Sequence, residues 1–544
     1  MKKRILSALL AGIMIFSLTA CGGGSEKKSE GSYYNTYLQT DPTTLDPIKG
    51  NDNYSKSILT NIMEPLTRLE DKDGKAERVG AGAETWESND DGTVWTFHLR
   101  DNKWSDGEPV KAADYVYGMV QTLNPDSGSP NAFFITCVKN GEAVYNGEKD
   151  VSELGIKAVD DKTLEITLEN PVPYFMSLTD TRAMYPVRED LVEKYGESYG
   201  ADAESMVGCG PFKITSWKRN SKIELEKNEN YWDADSVKLD KVNYSIVTDE
   251  VANFNSFDSG AYDYVGCANE EWMGRFQKKS NVNTVDATNP IVRYDFFNCQ
   301  DALFGNANIR KAFTMAIDRD DMCKVIYQDM HKPMYGWVPF SVSTGELGEY
   351  RAQVEEPLKS ITEDPKELLL KGMQELGLGN DPSTLDVTYT LSATTEWTRN
   401  YGAYCQQVWE EKLGVKVELD FNEWGTFQSK TNNGEFQMAM MVWTIDYDDP
   451  MAMMEVFAGG SNMVPVFWQN EEYDNLVAQA RKEMDEKTRV ELYKQAENIL
   501  LADECVISPN INECTHGFYY DYVKGYSELS TVTTGLKTID TTGR

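Results

Sequence analysis

Histidine is scarce in this chain: its 544 residues include only His98, His331 and His516. The usual proton shuttle and metal ligand is therefore nearly missing. No two cysteines stand in a CxxC pair, which removes a common structural-zinc pattern. GxSxG, HExxH and a glycine-rich phosphate loop are also absent. No catalytic residue, metal or cofactor is expected on these grounds, and an enzyme is the weaker class. Basic residues are in deficit as well. Lys and Arg number 53 against 88 Asp and Glu, a net charge of −35. That balance excludes the basic stripe a nucleic-acid binder needs, and solubility is its simplest consequence. Beyond the first residues no apolar run reaches membrane-spanning length, so the mature part is expected to be soluble. No internal repeat is visible.

The amino terminus carries an address. "MKKR" is a basic start, and "ILSALLAGIMIFSL" is an apolar run of signal-peptide length. It ends in "LTAC", which resembles a bacterial lipobox. That resemblance implies residues 1–20 as a signal peptide, cleavage before Cys21, and lipid on that cysteine. "GGGSEKKSEGS" follows as a polar, flexible tether, so residues 21–31 are expected to be a lipidated leash to the membrane. The eight later cysteines are widely spaced, and free thiols or disulfides are equally compatible with the pattern.

The mature chain has 11% aromatics in the sequence as a whole, enough to argue for folding. Its patterns mix strands and helices. "TVWTFHLR" (93–100) and "KTLEITLE" (162–169) alternate as strands, and His98 within the first is expected to be structural. "FKITSWKRNSKIELEKN" (212–228) reads as a hairpin. "KAADYVYGMVQTL" (111–123), "NIRKAFTMAIDRDDMCKVIY" (308–327) and "NYGAYCQQVWEEKLG" (400–414) read as helices, the last closed by Gly414. "VKVELDFN" (415–422) is another strand, and 472–503 is one helix or two, rich in charge pairs. These elements suggest α/β or α+β lobes.

One acidic stretch stands apart: "VWTIDYDDP" (442–450). Asp446, Asp448 and Asp449 beside Trp443 and Tyr447 could form a solvated turn, a metal loop, a carboxylate pair or the floor of a binding site. Companion ligands and catalytic motifs are missing for the second and third readings.

Several stretches, in order along the chain, resemble the large extracellular solute-binding proteins of peptide ABC importers. "WSDGEPVKAADYVY" (104–117) carries the most specific likeness. "TLDP" (44–47) resembles the family's opening strand, and "IMEPLTRLE" (62–70) its next strand entry. "GCGPFKITSW" (208–217), "NENYWD" (228–233) and "IRKAFTMAIDRDDM" (309–322) agree as well. The resemblance implies an α/β, two-lobed clamp of the periplasmic-binding-protein type (type II, cluster C), with an extra family-specific domain. Residues 32–51, 183–290 and 513–544 would make lobe I, 52–182 the extra domain and 291–512 lobe II. Strands crossing near 290 and 512 would form the hinge.

It also implies a function and a site. The protein would capture oligopeptides between its lobes and hand them to separate permease and ATPase chains, acting as a monomer held to the membrane by its lipid. A saccharide or, less simply, a nickel chelate is the alternative ligand. "VWTIDYDDP" resembles the family's cleft strand, in which Asp446 would pair with the peptide's α-ammonium group. Val442 and Thr444 would pair with the peptide backbone as an added strand, opposed by a strand near 41–44 that includes Thr43. Pro42 would shorten that ladder. Trp443 and Trp424 would wall side-chain pockets, Tyr447 completes the motif, and Asp448 and Asp449 read as turn residues. The family's cleft tyrosine near the hinge is here Asn512. Positions that in relatives hold the peptide's carboxyl end read Thr431, Met440 and Thr398, so the holder of that end is open; Arg399 and Lys430 are neighbours.

Overall fold

A computed structural model describes residues 31–392, 395–459, 461, 463–527, 529 and 535–544. The leader, Cys21 and nearly all of the tether lie outside the described residues.

Four sheets organise the chain. Tyr33–Leu38 pairs in parallel with Lys241–Ile246, which continues antiparallel into Lys222–Lys227 and Phe212–Lys218. The last two strands are the expected hairpin, with Asn220 at φ 54° in its turn. Between the first strand and this hairpin lie a two-stranded ribbon, Thr67–Lys72 with Lys75–Gly80, and a four-stranded antiparallel sheet. That sheet uses Val94–Leu99 and Thr163–Thr167, as the alternation predicts.

The seven-stranded sheet holds the molecule together. Two strands in it are unusually long: Val282–Phe297 with 16 residues and Ile507–Tyr520 with 14. They pair antiparallel in two blocks, Val282–Thr288 with Cys514–Tyr520 and Val292–Phe296 with Ile507–Asn512. The first block is flanked by Tyr264–Gly266, and the second by Met438–Thr444 and then Asp386–Ser392 and Lys416–Asn422. The ladder breaks at 289–291, where Pro290 has no N–H to give. The Asn512 side chain bridges the gap, its Nδ2 donating to the carbonyls of Asn289 (2.6 Å) and Ile291 (3.0 Å).

Helices Ala307–Ala316, Pro365–Glu375 and Glu396–Leu413 pack on one part of this sheet around Phe313, Leu369, Tyr389 and Trp409. Gly414 closes the last of them at φ 79°.

Two expectations are corrected. Residues 308–327 are two helices, Ala307–Ala316 and Arg319–Tyr327. Asp318 ends the first run by capping the second, its carboxylate accepting from the Asp321 N–H. "TLDP" (44–47) lies in no strand, and the opening strand is Tyr33–Leu38. Thr44 and Asp46 turn the chain there, with the Asp46 N–H on Thr44 Oγ1 (3.1 Å) and the Ile48 N–H on Asp46 Oδ1 (2.9 Å).

The eight described cysteines are all free, and burial pushes the Cys137 thiol up to about 12. The chain ends meet: Ser32 Oγ lies 2.9 Å from Thr541 Oγ1, which donates to the Tyr33 carbonyl. Arg544 pairs with the buried Asp263. Among the described residues no helix is long and apolar enough to cross a membrane.

Candidate functional site

The strand Met438–Thr444 supplies the site's frame. One edge pairs with Ile291–Phe297 along its whole length. The other edge meets Asp386–Ser392 only at Met438 and Ala439. Among the described residues no strand covers that edge from Met440 to Thr444, so its backbone groups are open to an added strand. Side chains alternate across it. Val442 (40% exposed) and Thr444 face out, while Trp443 packs half-buried against the core. The buried Trp443 Nε1–H has no acceptor among the described residues. Trp424, 51% exposed, opens the helix Trp424–Asn432 and stacks on Phe427 with centroids 5.6 Å apart.

Past Thr444 the chain leaves the strand, so Asp446 and its neighbours sit in a turn beyond it. Their environments diverge. Asp449 is 3% exposed; it accepts from the Met451 N–H (2.9 Å), from Tyr493 OH (3.0 Å) and from Arg489 in a buried ion pair. Asp448 accepts from the Ser343 N–H at 2.8 Å, and burial pushes its pKa up to about 6. Tyr447 is buried, donates to Glu455 Oε1 (2.8 Å) and stacks on Tyr174 at 4.9 Å.

Asp446 differs from all of them. Among the described residues no donor or cation lies within hydrogen-bond or ion-pair distance of its carboxylate. It lines a cavity of about 520 Å³ together with Lys56, Asp180, Arg182, Tyr185 and Asp448. Solvent reaches it, yet the surrounding protein raises its pKa to about 6 against the opposing pull of Arg182 and Lys56. Asp446 and Tyr447 are the two expected residues that line this cavity. Asp449 is locked to Arg489, so an Asp446–Asp449 pair offers no two free carboxylates for glycoside hydrolysis.

Two expected residues are engaged elsewhere. Asn512 is 0% exposed, and besides its two donated bonds its Oδ1 accepts from the Phe340 N–H at 3.0 Å. Its amide is used within the protein, at the break in the ladder. Thr43 lies in no strand, and its hydroxyl donates to Asp52 Oδ2 at 2.5 Å. The neighbouring Asp41 accepts from Trp217 Nε1 (2.9 Å) and the Asn220 N–H, so 41–44 offers no opposing strand. Thr431 and Met440 are buried, and Thr431 bonds back to the Phe427 carbonyl (3.0 Å). Lys430 pairs with Asp420 at 2.7 Å.

The most distinctive sequence stretches meet elsewhere, around Glu64. Its carboxylate accepts from Tyr231 OH (3.1 Å) and Trp232 Nε1 (2.7 Å) and pairs with Arg68. Tyr115 OH donates to the Glu64 carbonyl at 3.0 Å. Gly208 and Gly210 pass so close that an added Cβ would lie 2.1 Å from the Ile62 carbonyl and 2.6 Å from that of Met63. "GCGP" therefore needs its glycines for a backbone crossing. These motifs are structural.

Sequence reasoning missed Lys56 and Arg182. They come from the start of the helix Asn53–Ile62 and from the short turn Arg182–Met184, and no local pattern marks them. Among the described residues no group of three His, Cys, Asp or Glu side chains is arranged to hold a metal ion.

Comparison with known proteins gives the chain's family. The dipeptide-binding protein DppE of Bacillus subtilis is 35% identical over 520 residues, covering 93% of each chain. The oligopeptide-binding protein OppA of the same organism is 32% identical over 531 residues, covering 94% of each. Among solved structures, Listeria monocytogenes OppA bound to peptide superposes with a TM-score of 0.75 at 29% identity, covering 94% of this chain and 100% of that one. Haemophilus influenzae OppA in complex with the peptide RPPGFSPFR gives 0.77 at 25% identity, covering 94% and 99%. Residues 77–464 match the middle part of the bacterial extracellular solute-binding proteins, family 5, and the chain belongs to that family.

Proposed function

We propose that this protein captures oligopeptides outside the cytoplasm, between two lobes, and delivers them to the permease and ATPase of an ABC importer. Relatives named for dipeptide and oligopeptide binding support the ligand class. One observation carries the site: Asp446, an unpaired carboxylate in a cavity directly after a strand with an open edge. All peptides with a free amino terminus share one ammonium group and a backbone ladder. A carboxylate plus an open strand edge recognises both while ignoring side chains. Binding shifts the clamp toward its closed state by hinge motion.

On the same reading, lobe I comprises 32–51, 183–290 and 513–544, the extra domain 52–182 and lobe II 291–512. The ladder break at 289–291 and the crossing of both long strands there support that division. Cys21 is the lipid attachment point, the protein works as a monomer, and no covalent chemistry is involved.

The test is calorimetry with peptides of two to eight residues, free or acetylated at the amine. A charge-assisted hydrogen bond is worth roughly 1.5–3 kcal/mol, so Asp446→Ala is expected to weaken free-amine peptides roughly tenfold to a hundredfold. Acetylated peptides should bind weakly to both proteins. Equal binding of free peptides to both removes Asp446 as the anchor.

A further inference from the structure

The cavity at Asp446 is lined by two cations that no carboxylate among the described residues meets in an ion pair. Four cations line it: Lys56, Arg68, Arg78 and Arg182. Arg68 is paired with Glu64, and Arg78 with Asp180 at 3.0 Å. Lys56 and Arg182 are not paired. Among the described residues no carboxylate lies within 4.0 Å of either. Arg182 is steadied from behind instead, its guanidinium donating to the backbone carbonyls of Asp52 (3.5 Å) and Asn51 (3.3 Å). Asp52 also caps the helix that carries Lys56, accepting from the Ser55 N–H at 2.8 Å. Asp52 thus holds both cation-bearing segments, Arg182 through its backbone carbonyl and the Lys56 helix through its carboxylate, without an ion pair to either.

A peptide ammonium placed on Asp446 removes the nearest compensating anion from these two cations. Asp448 remains, but its carboxylate is directed to the Ser343 N–H. With Asp446 occupied by the ammonium, a site closing around Lys56 and Arg182 pays a desolvation penalty that a ligand anion would offset. We propose that this cavity selects peptides bearing a carboxylate within two residues of their free amino terminus, with Lys56 and Arg182 as the anion-binding pair. The inference rests on the peptide reading above and on Asp446 as the amine anchor. The reach is limited because an extended chain advances about 3.3 Å per residue, while the cations and the anchor share one cavity. The carboxylate can be an acidic side chain at the first or second position or the carboxyl terminus of a dipeptide.

The test uses calorimetry on the full mature protein. The probes are pentapeptide amides with glutamate, glutamine or lysine at the second position in an alanine background, and alanyl-alanine as acid and as amide. The wild type is expected to bind the glutamate peptide at least tenfold tighter than the glutamine peptide, and the lysine peptide least. In the Lys56→Gln, Arg182→Gln double variant the glutamate-to-glutamine ratio should fall below threefold, whatever the absolute affinity. Lys56→Glu, a charge reversal at an exposed position, should move the preference toward lysine. A gain confined to the dipeptide acid identifies the chain terminus as the carboxylate's source. Equal binding of glutamate and glutamine peptides, with no gain for the dipeptide acid, overturns the proposal and leaves the peptide reading standing. If none of the peptides binds, both fall together. If acetylated peptides bind as well as free ones, the anchor falls, and the anion pair falls with it as stated.

Discussion

A carboxylate in an acidic stretch has no fixed role until its partners are known. Asp449 meets Arg489 and Tyr493 inside the protein, and Asp446 meets only a cavity. The two should therefore fail differently. Arg489→Met leaves Asp449 buried without its cation, a loss of about 3–5 kcal/mol. A clear drop in the thermal unfolding midpoint is the measurement. Asp446→Ala should leave that midpoint nearly unchanged and alter binding instead. Asp446 also predicts a pH profile. Its folded pKa is raised to about 6 by burial, so the free carboxylate is increasingly protonated below that pH. A bound ammonium needs the charged form. Affinity for free-amine peptides is then full above about pH 6 and falls roughly tenfold for each unit below it. Asp448, also near 6, and the cations Lys56 and Arg182 face the same cavity. Asp446→Asn separates their effect, because its affinity, though lower, should be flat across the range that Asp446 controls. The aspartate was legible because its neighbours form a local pattern. Lys56 and Arg182 were not, because tertiary folding alone brings them to it.

Among elements, the two long strands carry the most information. The family resemblance implies strands near 290 and 512, and within "DATNPIVRY" only Pro290 signals where their ladder breaks, since it cannot donate there. Asn512 answers it with side-chain bonds to the carbonyls of Asn289 and Ile291. Asn512→Ala should cost about 1–3 kcal/mol, because buried carbonyls lose their donor. Chemical denaturation would measure this, and the Phe340 amide, bonded to Asn512 Oδ1, should exchange its hydrogen faster. Unchanged stability and exchange would show the bridge to be incidental. The helix over 308–327 fails in the sequence reading for a related reason. Its apolar spacing runs through Asp318, whose capping of the next turn outweighs the periodicity. Aspartate followed by a second acid three residues later was a readable sign of that restart. The hairpin at 212–227 and the helix at 400–413 were legible because pattern, turn and cap agree there.

On the scale of the molecule, the fold class was legible from motifs spread along the chain, although several of them serve the node at Glu64 and not the cleft. Contact between the stretches 52–182 and 291–512 was not legible. Tyr174 and Tyr447 stack at 4.9 Å between them. An aromatic pair of this kind contributes about 0.5–1.5 kcal/mol beyond its buried area. If it forms as the clamp closes, Tyr174→Ala should weaken ligand binding by up to roughly tenfold. The change should be in the dissociation rate, since closure holds a ligand already bound. Stopped-flow release of a labelled peptide would read it, and an unchanged rate would place the stack outside the closing motion.

The meeting of Ser32 with Thr541 also has a practical meaning. It brings the first described residues beside the carboxyl terminus. If the proposed lipid anchor at Cys21 holds, a dye or fusion partner joined after Arg544 would sit near the point where the tether reaches the fold, and reporters of membrane distance belong there. Reporters of ligand capture belong on exposed residues that line the Asp446 cavity, such as Ser57.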